Sequence, residues 1–119
     1  MGKNAIATSG NLPRAEAIAR LNDQLRKTGQ GGSIMITSNL CRVTGFDAAV
    51  LASALANYEG FDRGNDPHGE RDFGALTLWG YDLLLKIDYY DKDLEYGSAD
   101  PADLAVTHRV LTVMLASDW

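Results

Sequence analysis

The chain has 119 residues, 45% of them hydrophobic, with a formal net charge of −5 and a single cysteine. That is core enough for one domain and too little chain for two, and no apolar run approaches the roughly 20 residues that cross a bilayer. The lone Cys41 excludes an internal disulfide and a cysteine-rich zinc site and reads as a small buried residue.

Residues 1–11 carry no periodicity and are expected to form a flexible lead-in to a single domain over 12–119. The early stretch has no apolar segment resembling a signal peptide, so a cytoplasmic location is expected. Asn11 and Pro13 supply a cap and an early helix proline, and Ile18, Leu21 and Leu25 recur at helical spacing until Gly29. Ser33–Ser38 alternates like a short strand. Asp47 or Thr44 caps a second helix whose Val50, Leu51, Ala54, Leu55 and Tyr58 line one face, ending at Gly60.

After the polar loop 61–72, Phe73–Trp79 and Asp82–Tyr89 read as strands around a Gly80-Tyr81 turn of type II′. Gly74 then opposes Ile87, Leu76 opposes Leu85 and Leu78 opposes Leu83 on the core side, with Lys86 and Asp88 on the other. Asp100-Pro101 predicts a last helix, with Asp103 in its first turn, His108 at its surface, and Leu104, Val110, Leu111, Met114 and Leu115 buried. The order α-β-α-β-β-α implies an α+β two-layer domain, a small and mainly antiparallel sheet packed against helices.

Charge is divided unevenly along the chain. Residues 1–43 hold six Lys/Arg and two Asp/Glu, whereas residues 44–119 hold five and fourteen. The acidic part repels phosphates, so direct nucleic-acid binding is not expected, and a basic protein partner is. The hairpin should bring loop 62–72 beside loop 88–95, gathering Asp66, Glu70, Asp72, Asp88, Asp91, Asp93 and Glu95, with His68, Arg71, Lys86 and Tyr90 as accessories. Three readings of this cluster compete. Asp66, Glu70, Asp72 and Asp88 could hold a divalent cation, the only cofactor these residues suggest, although the spacing fits no EF-hand. His68 with Glu70 or Asp72 could form an acid/base pair for hydrolysis. In the third, Asp66-Pro67, Gly69 and Asp91 form Asx turns, and Arg71 and Lys86 tie the loops to the sheet. No GxSxG, HExxH, Walker, Rossmann or kinase motif is present, which counts against common enzyme classes.

Leu21-Asn22-Asp23, Thr28-Gly29-Gln30-Gly31-Gly32, Asn65–Gly74, Lys86–Asp91, Leu94–Ser98, Asp100–Asp103 and Arg109–Ala116 together resemble a bacterial family of small proteins, domain of unknown function 3768. The resemblance spans most of the chain. In that pattern Tyr is common where His68 stands and His where Arg71 stands, which directs attention to the carboxylates. It implies a bacterial, cytoplasmic setting and accessory genes, some on mobile elements. The expectation that follows is a non-enzymatic interaction or regulatory protein, in one version an inhibitor of a host defence system. The alternative is a divalent-metal-binding module or metal-assisted hydrolase using the acidic loops.

Overall fold

A computed structural model describes residues 12–119. The expected lead-in 1–11, with the Asn11 cap, lies outside the described residues. Helix α1 (Arg14–Thr28) starts directly after Pro13 with no side-chain cap and closes on Gly29, which at φ 79° donates its N–H to Leu25 O. A left-handed residue costs glycine little there. Strand β1 (Gly32–Ile36) leads into a short helix α2 (Ser38–Cys41) capped by Thr37, and helix α3 (Ala48–Ala56) is capped by Asp47, whose carboxylate accepts from the N–H groups of Ala49 and Val50. Strands β2 (Phe73–Leu78), β3 (Tyr81–Tyr90) and β4 (His108–Leu115) follow, and a 3-10 turn, Ala116–Asp118, ends the chain.

The sheet order is β1-β4-β3-β2, with β1 parallel to β4 and the other pairs antiparallel. The α+β class and the mainly antiparallel sheet therefore stand. Leu25 of α1, Leu40 of α2 and Leu51 and Leu55 of α3 pack with Leu83, Leu85, Ile87, Leu111 and Val113 in one buried cluster. All three helices thus cover one face. On the other, Phe73 meets the Trp119 ring edge-on at 5.9 Å.

The predicted final helix is strand β4. Its run Arg109-Val110-Leu111-Thr112-Val113 is rich in β-branched residues, and as a central strand it is apolar on both faces, which in the sequence resembles a helical stripe. The residues read as a helix start close turns instead: Asp100 accepts the N–H of Ala102, and Asp103 that of Ala105. Asx turns and helix caps use the same chemistry.

The hairpin turn is Trp79-Gly80, not Gly80-Tyr81, and both residues have positive φ, 56° and 83°, as a type I′ turn requires. Trp79 is held there by Phe46, ring centres 5.4 Å apart, and by the close approach of Gly45. Gly74 consequently opposes Leu85 and Leu76 opposes Leu83. The register moves by two residues, so every side chain keeps its predicted face. Two further expectations are corrected: Cys41 ends α2 on the surface, and Val50 is 43% exposed because α3 buries only Leu51 and Leu55.

Candidate functional site

Loop 62–72 is wound tightly by its own polar groups. Asp62 Oδ1 accepts the N–H groups of Gly64 and Asn65, at 2.8 and 3.0 Å, and Asn65 Nδ2 donates to Gly60 O. Asp66 spends both carboxylate oxygens on backbone, taking the N–H of Glu70 and that of Arg71, each at 3.0 Å. Asp91 anchors the second loop with one carboxylate oxygen, accepting from Glu95 N at 3.0 Å. Those two acids act as the Asx-type anchors that their sequence context suggests.

The hairpin joins loop 62–72 to β3, because Ile87 donates its N–H to Asp72 O at 2.8 Å. Glu70 then accepts the Tyr89 hydroxyl at 2.8 Å. Strand alternation separates the rest: Tyr89 faces the helices, while Asp88 faces the open side of the sheet, paired there with Lys86 at 2.6 Å. Asp66, Glu70 and Asp72 are thus brought together, and Asp88 is not with them. Asp93 and Glu95 lie exposed on the 91–97 loop, and Tyr90 sits half-buried opposite His108 on β4. Among the described residues no three His, Cys, Asp or Glu side chains are grouped closely enough to share a metal ion.

Arg71, in a left-handed conformation at φ 54°, turns away from this acidic group toward α1. Its guanidinium meets Asp23 at 2.9 Å and Glu16 at 3.1 Å. The Arg71 hydrogen bond is the main reason that the Glu16 carboxyl titrates below its ordinary range. Burial works against the charge on Asp23, yet bonds from Arg71 and Arg26 outweigh it and lower that group too. Asp72 is shifted upward, first by burial and then by the negative charges of Glu70 and Asp66, with His68 offsetting a little.

Beneath Tyr89 lies a buried polar chain that runs across the core. Asn22 Nδ2 donates to Tyr89 Oη at 2.8 Å and to Glu70 O at 3.0 Å, and Asn22 Oδ1 accepts from Arg109 Nε at 2.7 Å. Arg109 is fully buried under the Tyr89 ring, its guanidinium carbon 5.2 Å from the ring centre, and a second nitrogen donates to Pro101 O. Its Nη1 has no partner, and no carboxylate pairs with it among the described residues. Burial lowers the Arg109 pKa, and burial raises that of Tyr89 strongly, so the tyrosine keeps its proton and is no base. Arg26, also buried, caps the C-terminal end of α3 by donating to Leu55 O at 2.8 Å and Tyr58 O at 3.2 Å, while Asp23 pairs with it at 2.9 Å.

Asn22, Asp23, Arg26, Tyr89 and Arg109 are absent from the site read in the sequence. A signal existed in α1: Asn22 and Arg26 occupy its buried face one turn apart, alongside Ile18 and Leu25. Polar residues on an apolar stripe mark a buried network.

Residues 36–118 match the family described as "Protein of unknown function (DUF3768)". The chain belongs to this family. The matched span takes in the 62–72 loop, the hairpin and Arg109, and leaves out α1, which supplies Asn22, Asp23 and Arg26. No curated protein and no solved structure matches the chain. No helix among the described residues is long and apolar enough to cross a membrane.

Proposed function

We propose that the protein is a non-enzymatic interaction module whose acidic loop 62–72 engages a basic surface of a protein partner. One observation carries the reading. Asp72 is pushed toward protonation first by burial and then by the charges of Glu70 and Asp66, and Arg71 is spent on Asp23 and Glu16 instead. Among the described residues Asp66, Glu70 and Asp72 form no ion pair with a lysine or arginine, and they stand on a backbone already fixed by Asp62 and Asp66. A lysine or arginine from outside relieves that repulsion with no ordering of the loop left to do. A mobile-element inhibitor that places these carboxylates where a defence complex holds nucleic-acid phosphates is one specific form of this reading. The divalent-cation alternative has less support, since Asp88 projects from the opposite face of β3 to Tyr89 and Glu70.

The test is fluorescence anisotropy against an array of arginine- and lysine-rich peptides, with salt titration. Binding should weaken with salt, and the double variant Glu70→Gln/Asp72→Asn should bind about thirtyfold less tightly, each of the two charge pairs contributing on the order of 1 kcal/mol. Equal affinity in the variant, or no dependence on salt, refutes the reading. Competition between the protein and DNA for a defence complex tests the inhibitor form.

A further inference from the structure

The two edges of the sheet are finished differently. On β2 the outward N–H of Ala75, at the middle of the strand, donates to the Tyr58 hydroxyl at 3.1 Å, and the Tyr58 ring lies against Gly74, so a side chain covers that edge in part. On β1 the neighbouring Thr37 donates its N–H to Val113 O at 3.0 Å. Strand alternation then turns Ser33 and Met35 toward β4 and leaves the backbone N–H and C=O groups of Ile34 and Ile36 facing away from the sheet. Among the described residues no side chain or turn takes up those groups. Natural edge strands are blunted by charges, proline or a bulge. The sequence GSIMI has none of these, and Ile34 and Met35 are 39% and 58% exposed.

A groove of about 220 Å³ runs beside this edge on the helix side, walled by Ile34, Ile36, Leu51 and Leu55 and by the end of α1. Its charged lining residues are Arg26 and Lys27, with no acid among them. Arg26 is already committed to Asp23 and to the last carbonyls of α3, so the exposed Lys27 is the charge an incoming chain would meet. We propose that β1 is the docking edge for an extended peptide segment of another protein, which adds a fifth strand beside Ile34 and Ile36. Its alternate side chains are apolar and enter the groove, and an acidic residue reaches Lys27. The period-two side-chain pattern follows from strand addition, and the acidic residue from the cationic rim. A second copy of this chain fits less well, because β1 carries no acid and self-pairing would bring another Lys27 to the same rim. This surface is separate from loop 62–72.

The experiment is panning of a random peptide display library on the purified full chain. Enriched peptides should alternate apolar residues and carry Asp or Glu, and they should bind at least about tenfold less tightly to Ile34→Pro and to Lys27→Glu. The proline removes only an outward-facing N–H, a substitution that edge strands tolerate. Ile34→Lys serves in its place if circular dichroism shows the proline variant unfolded. Peptides without strand alternation, equal binding to both variants, or no enrichment would overturn the proposal. So would sedimentation showing a dimer that Ile34→Lys dissociates, since β1 would then pair with a second copy.

Discussion

Replacing Asn22 by alanine should be among the most damaging single changes to this protein, although the residue touches no surface ligand. Asn22 is fully buried and makes three hydrogen bonds, to Glu70 O, to Tyr89 Oη and from Arg109 Nε. The two neutral bonds contribute about 1 kcal/mol each, and the bond from the charged guanidinium about 1.5–3 kcal/mol. Alanine also leaves the Arg109 guanidinium with a second nitrogen unpartnered in a site without a carboxylate. The expected loss is about 3–5 kcal/mol, a large share of the roughly 5–15 kcal/mol that holds an ordinary domain. Urea unfolding followed by far-UV circular dichroism measures it. A double-mutant cycle with Arg109→Met isolates the cause, because methionine fills the space without the charge. Once the charge is gone, much of the penalty of Asn22→Ala should go with it. A loss below about 1 kcal/mol, or a strictly additive cycle, would show that the chain of bonds from Arg109 to Glu70 does not stabilise the fold.

Three other outcomes are expected. Glu16 and Asp23 titrate below their unfolded values, so the stability they contribute is complete above about pH 5 and is lost as the pH falls through their lowered folded values; Arg71→Met should flatten that acid limb in melting curves. Asp72 has the opposite sign: its raised carboxyl costs stability at neutral pH and the cost fades as the pH falls through the raised value, so Asp72→Asn should be neutral to stabilising at pH 7, by about 0.5 kcal/mol, and lose that advantage in acid. Gly74→Ala should destabilise by about 2 kcal/mol or more, since its Cβ would lie 2.5 Å from the Tyr58 hydroxyl oxygen and 2.7 Å from two ring carbons; a much smaller penalty in a Tyr58→Ala background, read in thermal melts, would show that the clash is responsible.

The parts of the fold legible in the sequence are those governed by short-range rules. Gly29 as a left-handed stop, Asp47 as a cap and the faces of the hairpin follow from neighbours within a few residues. Strand β4 was illegible because its partners are β1 and β3, distant in the chain, and a strand apolar on both sides carries no period-two mark. Cys41 was misread because its exposure depends on where a one-turn helix sits, which composition does not record. At the candidate site, the Asx anchors at Asp66 and Asp91 were readable from turn chemistry alone. The contacts of Arg71 with Glu16 and Asp23, and of Arg109 with Asn22, were not, because each joins α1 to a segment far along the chain.

The position of β4 also bears on how the chain is assembled. The strand encoded last lies between β1 and β3, so β1 has no partner in the sheet until residues 108–115 are available. Before then only the β2–β3 hairpin can form, and an isolated two-stranded hairpin is marginal in water. Pairing of β1 with β4 therefore closes a long loop of chain, a non-local contact that slows folding for the size of the domain and leaves the Ile34-Met35-Ile36 segment unpaired in the sheet until β4 arrives.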